Sequence, residues 1–166
     1  RWRRSDVYHR LIGLDRRTGF IDWVDRRQGK PMRERVIQDI EVPVDRLPEF
    51  LEWFDEAVGM RPVWLCPCKA KRDWPTYPLE ADELYVNVGF WGTVHVGPDA
   101  ADGPLNRAIE AKVHELGGHK SLYSEAFYDR ETFDRLYDGD NLAAVKAAYD
   151  PDSRLTNLYD KAVRRQ

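Results

Sequence analysis

The feature that most constrains this chain is the passage from Gly117 to Tyr128, which reads GGHKSLYSEAFY. A helical repeat of apolar residues ends at Gly117-Gly118, a strand pattern follows, and a second helical pattern starts at Asp129. A plain core strand does not need His119, Lys120, Ser121, Tyr123 and Glu125. Strand alternation puts Ser121, Tyr123 and Glu125 on one face and Leu122 and Ala126 on the other. One face is thus expected to pack and the other to meet something polar.

The elements before this passage repeat the same logic. Residues 36–44 alternate as a strand, with Val36, Ile40 and Val42 inward and Ile37, Asp39 and Glu41 outward; Gln38 falls on the inward side. Asp45 is an expected helix cap, with Pro48 in the first turn. Leu47, Phe50, Leu51, Phe54 and Val58 recur at helical spacing, and Gly59 stops the helix. Residues 62–69 read as a second strand, which Pro67 makes an edge or a bulge. A charged, Pro-rich loop spans 70–82. Residues 83–96 read as one long strand or a hairpin, with Leu84, Val86 and Val88 on one face and Tyr85 and Asn87 on the other. Gly89 and Gly92 mark a bend or a close backbone approach. A turn at 98–103 leads to Pro104 and an apolar stripe of Leu105, Ala108, Ile109, Val113 and Leu116. After the central passage, Asp129 caps a helix burying Phe133, Leu136 and Tyr137. A helix at 141–149 breaks at Asp150-Pro151, and Ser153 is the expected cap of a last one.

The order strand, helix, strand, strand, helix, strand is that of an α+β, ferredoxin-like split βαβ fold. It predicts an antiparallel sheet with helices on one face, plus C-terminal helices. The other face would carry Asp39, Glu41, Tyr85, Asn87, Ser121, Tyr123 and Glu125.

Composition narrows the class. A chain of 166 residues with 42% hydrophobic and 12% aromatic content can build a core. Its net charge of −3 gives no case for nucleic acid. Residues 1–35, however, hold 11 Lys/Arg against 5 Asp/Glu. This stretch has weak periodicity, turn-forming residues at Gly13, Gly19 and Gln28-Gly29-Lys30-Pro31, and scattered apolar anchors. It reads as an irregular or partly helical arm. Arg1-Trp2-Arg3-Arg4 lacks an apolar stretch behind it, so it is read as neither a signal peptide nor a natural start, but as the edge of a longer protein. No run approaches ~20 apolar residues, the length of a membrane span. Cys66 and Cys68 have no further cysteine to pair with and lack structural-zinc spacing, so they are expected to be buried strand thiols, with no metal. These features suggest a cytoplasmic protein, soluble or peripheral to a membrane.

Several segments resemble one family in register. Residues 36–44 (VIQDIEVPV), 61–67 (RPVWLCP), 83–89 (ELYVNVG), 119–133 (HKSLYSEAFYDRETF) and 158–161 (LYDK) resemble the C-terminal half of Δ24-sterol reductase (seladin-like) flavoproteins, a branch of the vanillyl-alcohol-oxidase-type FAD oxidoreductases. The resemblance covers roughly residues 33–163. It implies that 1–35 is an arm from a missing N-terminal FAD-binding domain. Residues 36–166 would then be the cap or substrate domain over the flavin. That partner domain would bind the FAD phosphates, since neither Gly89–Gly92 nor Gly117-Gly118 makes a phosphate cradle.

In such an enzyme the flavin passes hydride to one carbon of a C=C bond of a sterol-like or other apolar substrate, with NADPH as reductant. The protein supplies a proton and shielding from water. The resemblance gives Tyr123 the first place as proton donor or holder of substrate oxygen. Lys120 would stabilise charge on the reduced flavin, and Glu125 would be a tunable acid. Asp39, Glu41, Tyr85, Asn87, Trp91 and Ser121 would face substrate and flavin. For Trp64 and Trp91 the competing expectation is core packing. Three other readings stay open: a sugar or alcohol oxidase cap, a free-standing ferredoxin-like module binding a ligand or partner, and a homodimer through the exposed sheet.

Overall fold

The computed structural model describes residues 5–29, 32–97 and 100–166. The opening Arg1-Trp2-Arg3-Arg4, Lys30-Pro31 and Pro98-Asp99 of the expected turns lie outside the described residues. Arg35–Val94 with Ala101–Gln166 form one compact unit, and the other described residues form a second.

The smaller unit contains α1 (Ser5–Thr18) and α2 (Phe20–Arg27), so the arm is helical where periodicity was weak. Gly19, at a φ of 61°, makes the turn between them. The Asp15 carboxylate accepts from the Ile21 N–H at 2.8 Å and so satisfies a free donor at the start of α2. Phe20 and Trp23 stack with centroids 5.9 Å apart, and the Arg27 guanidinium lies over Trp23.

The larger unit follows β1 (Met32–Pro43), α3 (Leu47–Ala57), β2 (Trp64–Cys68), β3 (Tyr85–Val96), α4 (Pro104–Glu115) and β4 (His119–Lys120). The sheet order is β2-β3-β1-β4, the split βαβ arrangement that the element order predicts. β1 pairs antiparallel with β4, and β2 with β3. Alternation sends Val36, Ile40 and Val42 of β1 and Val86, Val88 and Phe90 of β3 into a core closed by Phe50 and Phe54 of α3 and Ile109 and Val113 of α4. Gln38 shares that face and donates to Asn106 Oδ1 of α4 at 2.7 Å, which partners its buried amide.

Beyond β4 come α5 (Arg130–Tyr137), α6 (Gly139–Tyr149) and α7 (Leu158–Ala162). They enclose a second core of Ala126, Tyr128, Phe133, Tyr137 and Ala162. Asp129 caps α5 as expected, accepting from the Thr132 N–H at 2.7 Å. Asp138 caps α6.

Several expectations are corrected. The strand expected through 119–126 is only two residues long. Ser121 N–H still reaches Asp39 O at 3.0 Å, but the chain then turns at 122–124 because polar contacts from α4 and Lys120 hold the backbone at 125–127 away from the sheet. Asp45 lies in a 3-10 turn (Val44–Arg46), and Arg46 occupies the N-cap of α3 without a side-chain bond. Asn157, not Ser153, caps α7: its Oδ1 accepts from Asp160 N–H at 2.8 Å and its Nδ2 donates to Asp160 Oδ2 at 2.6 Å; Leu155 is exposed. β2 is an edge strand, as Pro67 implied, and its thiols are not buried. Cys66 is exposed and Cys68 half-buried, because an edge strand has cover on one side only.

Candidate functional site on the open face of the sheet

The register fixes which side chains share the helix-free face. Glu41 pairs with His119, Trp64 with Gly89, Cys66 with Asn87 and Cys68 with Tyr85. This face therefore carries Asp39 and Glu41 from β1, Asn87, Gly89 and Trp91 from β3, and His119 and Ser121 around β4.

At its centre Glu41 is buried (5% exposed) and held by neutral groups. Asn87 Nδ2 donates to its Oε1 at 2.7 Å, and Tyr77 OH donates to its Oε2 at 2.5 Å. Tyr77 OH also meets Ser121 Oγ at 2.8 Å. Burial raises the Glu41 pKa; its hydrogen bonds oppose that rise, and the Asp39 charge adds to it. Tyr77 comes from the charged, Pro-rich loop at 70–82. Its phenol is pushed far up, by burial first and then by Glu41. The one available sign was an aromatic set between Pro75 and Pro78.

His119 packs between the rings of Tyr77 (4.5 Å, edge-on) and Tyr137 (4.8 Å). Burial lowers its pKa to about 4, so it is neutral at pH 7, and its Nε2 has no partner.

A second group lies beside this one. Asp39 Oδ1 is buried without a hydrogen-bond partner. Burial raises the Asp39 pKa, and a bond from Tyr123 opposes it. The Tyr123 phenol is raised by burial and by the Asp39 charge, and Trp91 also bonds to it. Tyr123 and Trp91 remain about half exposed, and Trp91 meets Trp64 at 6.2 Å. The core expectation for the two tryptophans is thus overturned: both lie on the open face. Gly89 makes room here, since a Cβ on it would strike Asp39 Oδ1 and come within 2.9 Å of Trp91.

Three sequence candidates do not join these groups. Lys120 pairs in register with Ile40 and so points to the helix side. It is fully buried, with Nζ 2.7 Å from Glu110 Oε1 and 2.6 Å from Glu125 O. Glu125 gives that backbone oxygen inward, while its carboxylate is exposed and 3.7 Å from Arg165. Tyr85 is buried, its OH donating to Glu83 and accepting from Glu80 N–H. Of the sequence candidates, the structure brings together Asp39, Glu41, Asn87, Trp91, Ser121 and Tyr123. Among the described residues no cluster of His, Cys, Asp and Glu could hold a metal, and no helix is long and apolar enough to cross a membrane.

The fold is a ferredoxin-like α+β unit whose open face holds a polar, partly buried site. No family model and no solved structure matches the chain. Its sequence is homologous to Delta(24)-sterol reductases. It is 28% identical to the Rattus norvegicus protein over 141 residues, which is 81% of this chain and 27% of that protein. It is 27% identical to the Caenorhabditis elegans Delta(24)-sterol reductase homolog dhcr-24, over 80% of this chain and 25% of that protein. It is 25% identical to the Arabidopsis thaliana Delta(24)-sterol reductase over 158 residues, 81% of this chain and 28% of that protein. The chain spans about a quarter of the length of these relatives.

Proposed function

We propose that this chain is the substrate-side cap of an FAD-linked oxidoreductase that reduces a C=C bond of a sterol-like or other apolar substrate. The supporting observation is the similarity to Delta(24)-sterol reductases over four-fifths of the chain, which includes all four strands that carry the open face.

The residues present suit part of the cofactor. Asp39 Oδ1, buried and unpartnered, sits beside the half-exposed rings of Trp91 and Tyr123, a combination that fits one side of a flat heteroaromatic ring with N–H donors. These three residues would contact the isoalloxazine ring. No glycine-rich phosphate cradle occurs among the described residues, so the phosphates fall to an N-terminal FAD-binding domain of the same protein. When bound, the flavin supplies hydride to the alkene. Tyr123 and Asp39 orient substrate and flavin. Trp64 and Trp91 wall off water from an apolar substrate.

The test is a visible absorption spectrum of the protein expressed from its complete reading frame, followed by anaerobic NADPH. Flavin bands that bleach with NADPH and recover with an alkene substrate are expected. Bands that bleach only with an alcohol or a sugar would move the protein to an oxidase, and a colourless protein would overturn the proposal in favour of a ligand-binding module.

A further inference from the structure

We propose that Glu41, Tyr77 and Ser121 form a proton relay that delivers a proton to the open face of the sheet, with Asn87 orienting the acid. The relay rests on the function proposed above and adds to it the source of the proton.

Geometry carries the argument. Three oxygen-bearing groups make successive contacts: Glu41 Oε2, then Tyr77 OH at 2.5 Å, then Ser121 Oγ at 2.8 Å, with Ser121 Oγ a longer 3.5 Å from Glu41 Oε1. Every member can both give and take a proton when Glu41 is a carboxylic acid, so rotation of two hydroxyls reverses the chain without moving a heavy atom. Asn87 Nδ2 fixes the other carboxyl oxygen at 2.7 Å and leaves Oε2 for Tyr77.

The inner end is a buried carboxyl group with no cation paired to it among the described residues. On β1 it faces Asp39, on β2 Cys68, on β3 neutral Asn87, on β4 His119, from the loop Tyr77 and from α5 Tyr137. His119 does not supply a charge, since burial between Tyr77 and Tyr137 keeps its imidazole neutral at pH 7. The outer end, Ser121, is half-buried and bonded through its backbone to Asp39 O, which sets it next to the Asp39–Tyr123–Trp91 group. Tyr77 is anchored between Pro75 and Pro78 by bonds to Trp74 O (3.1 Å) and from Leu79 N–H (2.8 Å), with Leu79 buried behind it.

The step balances as follows. The Ser121 O–H bond breaks as a C–H bond forms at one alkene carbon. Ser121 takes the Tyr77 proton and Tyr77 takes the Glu41 proton, leaving a single carboxylate. The other alkene carbon would receive hydride, two electrons and a proton, from a reduced flavin, the hydride source of the function proposed above. A proton from water later restores Glu41. Tyr77 and Glu41 act through Ser121, and Asn87 is a positioning residue.

The test has two readouts. Infrared spectra of this chain, labelled at glutamate with carbon-13, should show a protonated carboxyl at neutral pH. That band should disappear in Glu41→Gln, which preserves the shape and the bond from Asn87 and offers an N–H to the Tyr77 oxygen, and should persist in Asp39→Asn. No such band in the wild type, or its survival in Glu41→Gln, overturns the relay. In the flavin-loaded full-length protein, Tyr77→Phe should lower alkene reduction ~100-fold, the low end for general acid catalysis. It should also abolish the solvent isotope effect, with flavin reduction by NADPH unchanged. Tyr77→Phe turnover within about twofold of wild type overturns the relay. The infrared readout needs no cofactor, so a colourless full-length protein that keeps the band overturns the function rather than the buried acid.

Discussion

Lys120 Nζ lies 2.7 Å from Glu110 Oε1 on the helix side of the sheet, while its chain neighbour Ser121 serves the open side. Both partners of this ion pair are almost fully buried. Glu110 also accepts the Phe127 N–H, and Lys120 also donates to Glu125 O, so the pair holds the backbone at 125–127 away from the sheet. Lys120→Met leaves a buried carboxylate unpaired. It should cost about 3–5 kcal/mol, measured by urea unfolding. A loss under about 0.5 kcal/mol, the size of a surface substitution, would show that the pair is not buried in solution.

Glu125→Gln separates its backbone role from its side-chain role. Only the backbone oxygen is used inside the fold, and the carboxylate is exposed near Arg165. Stability should stay within about 0.5 kcal/mol of wild type. Turnover of the full-length protein should also be unchanged, whereas Tyr123→Phe should reduce it.

His119 predicts an acid limb in the stability profile. Its pKa falls from 6.5 to about 4 on folding, chiefly through burial. As pH drops below 6.5 the unfolded chain takes up a proton that the folded chain refuses until about pH 4. Stability from this group is therefore complete above pH 6.5 and is lost between 6.5 and about 4, by on the order of 3 kcal/mol at 1.36 kcal/mol per unit. Glu41 has the opposite sign: its raised pKa favours the folded state when protonated, and that contribution fades as pH rises above 4.5. His119→Gln should flatten the acid limb and Glu41→Gln the neutral side, in chemical unfolding repeated across pH.

Gly103 has a φ of 65°, and a Cβ there would meet the Phe127 ring. Gly103→Ala should lose more than the ~1–2 kcal/mol of the left-handed backbone alone, because the ring is packed. Gly89→Ala, with ordinary φ, should instead disturb Asp39 and Trp91, and tryptophan fluorescence should shift with little change in the far-ultraviolet circular dichroism.

The fold was legible wherever period and punctuation agreed. Val36, Ile40 and Val42 against Ile37, Asp39 and Glu41 gave β1 and its two faces, and Pro67 gave the edge. The passage at 119–126 misled because alternation describes a strand but does not say whether a ladder partner continues. β1 offers Asp39 O to Ser121, and the chain is then diverted by Glu110 and Lys120, a tertiary effect without a local pattern. Half of the site was readable for the same reason: Asp39, Glu41, Asn87, Ser121 and Tyr123 are strand or strand-adjacent positions. Tyr77 was not, because a loop residue reaches its partner by the path of the loop, and no periodicity encodes that path.

The split order of the sheet has a consequence for assembly. Glu41 is in the first strand, Tyr77 36 residues on, Asn87 46 and Ser121 80. Because β1 lies between β3 and β4, these groups meet only after chain segments from both halves have closed on it. Closure over such separations is slow relative to local helix formation. The Tyr77–Glu41 contact is thus a late event, and a probe placed on it would time the completion of the native sheet rather than the collapse that precedes it.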